Sequence, residues 1–538
     1  MSVLRKAVAG LLLTGLLLWT IILNIYHIGV YPRPVVDQNS RAEAHWYPRD
    51  KHGLNHLVLI GPPFARGREA GRLTAPLLLE QENQLVARLK NLLGSTWLMQ
   101  GVVLTAIAWF QGVEAYLDLP HLEEMYGTSL SAPHQYDYLA DGFTRQVAYH
   151  GLHEVGQMMV DQGGEDMGCT VVAIRHSNHY VIGRNFDFEG GRIFDTEKIV
   201  KWVFPEQGNA FVSIIWAGMV GAVTGVNQHG LYISLNAAGS SDSKRLGTPS
   251  TLVLLKVLQY ANTADEAIAI LRREQMFITD IFVIEDAFGH TYKIEKSPIK
   301  MDVSPILKST VVTNHLQSPM FRDDSVNQLR MRELTTVARF TRGQQLVDQL
   351  PTVAKSKSVA LQALGVLRDK GVDSKGRPLH LGNRQAIDAL IATHSVIYDP
   401  LASEIWISTG PGLSGAFLGY DLKTSFAQKT PVKSSVLPPD PLVDSSTFLA
   451  VREAAKEIAE AGRRLSAGHC QEALTELESL RGIAREQSQF YSARGDAYHC
   501  LQDSQRARED WQRALDLTPA YAKLQTDLET QLSLRSKP

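Results

Sequence analysis

The sequence predicts an α+β fold of layered, mainly antiparallel sheets, and three features carry that expectation. From Cys169 onward come short β-rich runs: CTVVAI, HYVIGRNF, AFVSIIWAG, VTGVNQHGLYISLNA, IFVIED, HTYKIEK, STVVTN, THSVIYDP and EIWISTG. Several are joined by brief polar turns such as NQHG and DAFG, as hairpins require. Helical stretches lie between the groups, STLVLLKVLQYANTADEAIAILRRE being the clearest, and hairpin groups separated by helices make packed sheet and helix layers.

The chain begins with Arg5 and Lys6, followed by Ala7 to Tyr31 with no acidic, Lys or Arg residue. At about 1.5 Å per residue this run crosses a hydrocarbon core of about 30 Å. A cleaved leader ends in small residues, whereas Leu23 to His27 are bulky, so residues 1–31 read as a retained signal anchor. Arg5 and Lys6 outweigh Arg33 beyond the span, which places the N-terminus in the cytoplasm and the body outside it.

Residues 32–168 read as mainly helical. Leu54 to Leu79 opens that segment with a short strand, a Gly/Pro turn and a helix, and the helical spacing then breaks at GSTW and SAPHQ. Residues 169–427 form the β-rich body. Residues 428–447, within KTPVKSSVLPPDPLVDSS, read as a linker, since prolines continue neither a helix nor a ladder. In the helical tail, residues 448–538, Gly495, Tyr498, Ala507, Trp511, Ala514 and Pro519 stand at the spacing of a tetratricopeptide repeat. A weaker copy, 34 residues earlier, falls on Ala461, Ala473, Leu477 and Leu480. Two units are fewer than the three or so that stand alone, so the tail is expected to dock on the body and offers a place for a protein partner.

A formal net charge of −2 and a pI near 6.8 give no basic field, which argues against nucleic acid as a partner. Of three cysteines, Cys470 and Cys500 lie in the tail, at helix ends that the repeat register makes neighbours. An extracytoplasmic location permits a disulfide there and leaves Cys169 as the unpaired thiol.

Cys169 is then either a small buried apolar residue or a nucleophile. A thiol of ordinary pKa about 8.5 needs a base or a cation beside it to attack a carbonyl. His176, His179, His229, His315 and His394 are available, but none sits in a local catalytic signature. If the Gly168–Cys169 bond is cut, the new α-amino group of Cys169, pKa about 7.7 to 8.0, is itself the base.

From about Leu54 to Leu422 the chain resembles the acyl-coenzyme A:6-aminopenicillanic acid acyltransferase family of N-terminal nucleophile hydrolases, and more distantly the choloylglycine hydrolases. The marks are GPPFARGREAG, GCT, GRNFDF, GVNQHGLYISLNA, TVVTNH and VIYDP with IWISTGPG, in the family's order. The resemblance implies an αββα sandwich, residues 32–168 as a pro-segment, autocatalytic cleavage between Gly168 and Cys169, no cofactor and no metal, and chemistry on acyl bonds, usually amides. It makes Cys169 the nucleophile, with Thr170 beginning its strand. It gives Asp187 the orientation of the α-amino group, Arg184 a charge role near nucleophile and substrate, and Asn236 an oxyanion donor worth about 3 kcal/mol. Asn314 matches a second asparagine of the pattern, and Arg330 and Arg332 compete as its last arginine, on the substrate side.

The anchor and the tail are departures from that family. Acyl-coenzyme A is not expected outside the cytoplasm, so the expected reaction is hydrolysis of an amide-linked acyl group on a lipid or small molecule near the membrane. Transfer to an amine acceptor is the second expectation, and an inactive, membrane-tethered binding protein the third.

Overall fold

The computed structural model describes residues 31–50, 53–151, 167–188, 193–351, 356–373 and 375–533, with residues 15, 18 and 19 ahead of them. Two sheets form its centre. The first holds nine strands in the order β1, β2, β5, β6, β7, β8, β9, β10, β11: Glu43–Tyr47, Asn55–Gly61, Ile199–Pro205, Phe211–Ile215, Thr224–Asn227, Tyr232–Ala237, Asp280–Glu285, Thr291–Lys296 and Met301–Pro305. The second holds seven in the order β12, β3, β4, β13, β14, β15, β16: Thr310–Val312, Met167–His176, His179–Phe188, Ala392–Asp399, Glu404–Ser408, Phe417–Asp421 and Lys433–Leu437. Only β2 against β5 is parallel among the paired strands; the rest run antiparallel.

Alternation along each strand decides what each face packs against. On β3, Val171 and Ala173 enter the core between the sheets with Ile182, Trp202, Val212 and Val226. Val172 and Ile174 point the other way and pack with Val347, Val359, Ala363 and Leu367. Those last four belong to α9 (Thr336–Asp348) and α10 (Ser356–Leu367), which follow α8 (Ser325–Glu333) in the chain. Over the outer face of the first sheet lie α6 (Ser250–Tyr260) and α7 (Ala264–Arg273), whose Leu252, Leu255, Leu258 and Ile270 meet Val203, Ile233, Leu235 and Ile284. Helix, sheet, sheet, helix is the αββα order. The stretch expected as helical, residues 250–274, is these two, separated where Thr263 caps α7 by accepting the Glu266 N–H.

The N-terminal segment is less purely helical than its spacing suggested. Its β1 and β2 extend the first sheet, and β2 pairs with β5 over seven residues. Its helices are α1 (Pro63–Leu93), α2 (Thr96–Trp109), α3 (Leu119–Ser129) and α4 (Gly142–His150). The GSTW break falls where Gly94, at φ +76°, ends α1 and Ser95 caps α2. Tyr31, Ile107, Met125, Phe143 and Val147 share one core with Cys169, Phe186 and Phe194. A buried ionic cluster ties this segment to the body: Arg66 on α1 meets Glu124 on α3 at 2.6 Å, and Lys201 on β5 approaches Glu124 at 3.8 Å.

After the short α5 (Ile193–Thr196) and the later α11 (Leu422–Gln428), the expected linker is corrected. Residues 433–437 form β16, the edge strand paired to β15, and helix begins at Ser445. An edge strand needs one ladder only, so the prolines on either side of it are tolerated. The tail comprises α12 (Ser445–Ser466), α13 (Cys470–Ser479), α14 (Ser488–Cys500), α15 (Ser504–Asp516) and α16 (Ala522–Ser533). Gly495 lets Trp511 lie against α14, and Ala461, Ala473, Leu477, Ala507 and Trp511 share the tail core. Cys470 and Cys500 are bonded to each other, with Cα atoms 6.0 Å apart. Among the described residues no helix is long and apolar enough to cross a membrane. The anchor expected over residues 1–31 falls almost wholly outside them.

Candidate active site

Cys169 stands third in β3, buried at 1% exposure. The hairpin register sets Val171 opposite Arg184, Cys169 opposite Phe186 and Gly168 opposite Asp187. The two-residue period then sorts the neighbours by face. Cys169 and Arg184 point into the space between the sheets, and Asp187 points to the helix side with Thr170.

On the inner face the Arg184 guanidinium is fully buried. Nη2 donates to Cys169 Sγ at 3.7 Å and to the Leu235 carbonyl, while Nη1 donates to the Val223 carbonyl at 3.1 Å and to Thr224 Oγ1. Carbonyl acceptors thus fix the fork so that one edge reaches the sulfur. Burial pushes the Cys169 thiol above its usual pKa; Arg184, Arg339 and the Ala237 backbone N–H act against that, and Asp187 adds to it. The group on this face therefore carries its own cation and a backbone donor from the end of β8.

On the other face, α9 supplies Arg339, which the sequence reading did not single out. Its Nη1 donates to the Cys169 carbonyl at 2.6 Å and to Thr170 Oγ1 at 3.0 Å, and its Nη2 donates to Asn314 Oδ1 at 2.8 Å. The same Asn314 Oδ1 accepts the Cys169 backbone N–H at 2.9 Å, and Asn314 Nδ2 donates to the Ala237 carbonyl at 2.8 Å. Asn314 is thus the direct partner of the nitrogen that cleavage would turn into the α-amine. Asp187 is buried beside Gly168 and Arg339. Burial raises its carboxyl pKa to about 7; Arg339 opposes that rise, and Asp388 adds to it.

Several expectations change here. Asn236 lies at the site, but its side-chain N–H groups donate to the carbonyls of Val312 at 3.3 Å and Thr313 at 3.1 Å. Both donors are spent, so in this state Asn236 braces β12 against β8 and offers no free amide N–H to an oxyanion; its Oδ1 is buried without a partner. The backbone donor next to it, Ala237 N–H, is the one aimed at the sulfur. Arg332 is exposed, and Arg330 is buried against Gly239. The second arginine at Cys169, beside Arg184, is Arg339, which meets its carbonyl, and the signal for it was an arginine on the buried face of α9, in step with Thr336, Gly343 and Val347.

None of the five histidines serves the sulfur among the described contacts. His394 is stacked on Phe186 at 5.2 Å and meets Thr224 Oγ1 at 3.1 Å through Nε2; burial, with Arg184 and Lys198, keeps its pKa well below the usual value. His315 is engaged with Thr313 and Thr336. His176 and His179 flank the turn at the far end of the hairpin, and His229 lies in the β7–β8 turn. With the imidazoles elsewhere, the arrangement suits a thiol whose base is its own amine.

Residues 174–410 match the family model described as acyl-coenzyme A:6-aminopenicillanic acid acyl-transferase. Solved structures similar to this chain include the following two. The N-acylethanolamine-hydrolyzing acid amidase ortholog of Caenorhabditis elegans is 15% identical, with a TM-score of 0.32, over 50% of this chain and 100% of its own. A variant of the conjugated bile acid hydrolase from Clostridium perfringens is 13% identical, with a TM-score of 0.33, over 51% of this chain and 100% of its own. No curated protein matches.

Proposed function

We propose, from the match of residues 174–410 to the model described as acyl-coenzyme A:6-aminopenicillanic acid acyl-transferase, that this enzyme activates itself by cutting Gly168–Cys169 and then hydrolyses amide-linked acyl groups through Cys169. The observation that carries the reading is the double hold on one residue: Arg184 at the Cys169 sulfur, and Asn314 with Arg339 at its nitrogen and carbonyl.

In maturation, Sγ attacks the Gly168 carbonyl carbon, the peptide C–N bond breaks and the nitrogen leaves as the Cys169 α-amine. Water hydrolyses the Gly168 thioester to a carboxylate. In turnover the α-amine takes the thiol proton as Sγ attacks the substrate carbonyl, then returns it to the departing amine. Water then releases the acid from the acyl-enzyme. The Ala237 N–H, beside the sulfur, is placed to stabilise the tetrahedral oxyanion. Asn314 Oδ1 orients the α-amine, and Asp187 takes on charge once that amine is a cation. Acyl transfer is the same chemistry with an amine replacing water in the second half, and the family's own description favours keeping it as the second reading.

Beyond the catalytic body, we read residues 1–31 as a membrane anchor that places the body outside the cytoplasm, where a Cys470–Cys500 disulfide persists. The tail is read as a tetratricopeptide-like module.

The test is N-terminal sequencing of purified protein together with its Cys169→Ala variant. Wild type should give a second chain beginning at Cys169, and the variant should remain one chain. An uncut wild type, or a variant cut at that bond, overturns the proposal.

A further inference from the structure

Asp187 stands on the helix side of β4, and a run of buried charges leads from it to the start of the tail. On the same face of that strand Asn185 Nδ2 donates to the carbonyls of Leu367 at 3.0 Å and Ile387 at 3.4 Å. Ala392 is in register with Asp187, so the loop from Ile387 to Ala392 is laid along β4 beside the acid. Asp388 is the buried carboxylate of that loop. Its Oδ1 accepts the Leu390 N–H at 3.1 Å, and its Oδ2 accepts from Lys370 Nζ at 2.6 Å.

Lys370 follows α10 and spends all three of its donors. Besides Asp388, its Nζ donates to Asp440 Oδ2 at 2.7 Å and to the Arg368 carbonyl at 3.0 Å. Asp440 lies between β16 and α12, at the entry to the tail, so one ammonium is shared between an acid of the body and an acid of the tail junction. The helix that carries Arg339 is clamped to the same loop: Arg342, one turn further along α9, grips Asp369 with Nε at 2.9 Å and Nη2 at 2.7 Å.

The groups that face Asp187 come from each element packed on it. Burial is the first cause that raises its carboxyl pKa; Arg339 from α9 opposes the rise, Asp388 adds to it, and Arg384 from the same loop and Arg184 from β4 oppose it. From β3 it meets Gly168, which carries no charge. From this arrangement we infer that Asp388 and Lys370 are positioning residues for Asp187: the Asp388 carboxylate keeps a proton on Asp187, and Lys370, divided between Asp388 and Asp440, sets how strongly. Two like charges in a dry site favour protonation of one of them. The inference rests on the proposed hydrolase reading for the task of Asp187, and adds what sets its charge.

Asp187→Asn is compared with its parent by urea unfolding from pH 4 to pH 9 in three full-length Cys169→Ala backgrounds: unaltered, with Asp388→Asn and with Lys370→Met. The gain from Asp187→Asn grows with pH while the folded chain holds the Asp187 proton, and levels off above the pH at which that proton leaves. In the unaltered background it should level off near pH 7. Asp388→Asn, which removes the neighbouring charge, should bring that point down by about one pH unit, and Lys370→Met, which leaves the charge without its cation, should move it up by about as much. Levelling at one pH in all three backgrounds overturns the inference, even where the variants are less stable at every pH. The second measurement is kcat against pH for the Cys169 proteins on an N-butyryl aminocoumarin amide, whose acidic limb should move in the same two directions; a limb unmoved in both variants overturns the positioning role. Should wild type not cleave the amide, the hydrolase reading fails on this probe, and the urea measurement decides the inference by itself.

Discussion

Asp187→Asn in the Cys169→Ala background, expected to stay uncut, isolates the cost of an acid held beside the proposed cleavage point before any α-amine exists. Burial raises the Asp187 carboxyl from 3.8 to about 7. Between those values the folded chain holds a proton that the unfolded chain has released. Stability therefore falls as pH rises through this window, at about 1.36 kcal/mol per pH unit. Across about three units the loss is about 4 kcal/mol, complete above pH 7 and absent below pH 4. Asparagine keeps the shape and removes the titration. Urea unfolding of both proteins at pH 5 and pH 8 measures the part of it between pH 5 and 7: the asparagine variant should gain on its parent by about 2.7 kcal/mol more at pH 8 than at pH 5. Parallel pH dependence in the two proteins would refute the reasoning. In the Cys169 protein the same substitution should slow turnover, because the anion that balances the new ammonium is gone.

Arg339→Lys keeps the charge but not the fork that spans the Cys169 carbonyl, Thr170 Oγ1 and Asn314 Oδ1; it should lower kcat by about 100-fold, and near-normal turnover would remove Arg339 from the site. Asn236→Ala leaves the Val312 and Thr313 carbonyls without their donor and should cost about 2 to 4 kcal/mol in urea unfolding; a variant of normal stability but with kcat lowered about 100-fold would restore Asn236 as the oxyanion donor. Gly412→Ala places a Cβ 2.5 Å from Phe448 Cε2 at φ +53°, so the tail should loosen by about 1 to 3 kcal/mol, read as faster proteolysis between residues 438 and 448. After cleavage the two fragments should co-purify through a high-salt wash and separate only in denaturant, because β2 is hydrogen-bonded to β5 inside one sheet and the Met125 and Phe143 side chains share a core with Cys169; separation in salt would contradict that packing.

What the sequence determined about this protein is what local spacing encodes. Alternating runs joined by short turns specified β3–β4, β7–β8 and β13–β14, and the fifteen-residue step from Cys169 to Arg184 is a hairpin distance, so the strand that leaves the cysteine returns the arginine to it. Asn314 was legible as a motif residue, although its role on the Cys169 nitrogen was not. The strands that escaped notice, β1, β5, β11, β15 and β16, are short or at an edge, or carry no alternation because both faces are covered. What only the tertiary structure decided depends on chain segments far apart in sequence. Arg339 reaches the Cys169 carbonyl across 170 positions, from a helix whose spacing reads as an ordinary amphipathic one. The amide of Asn236 is consumed by carbonyls 76 and 77 residues away. Strand and turn preferences are set by neighbours within a few residues, whereas a side chain's hydrogen-bond partner is set by which faces the packed layers bring together, and no local pattern records that choice.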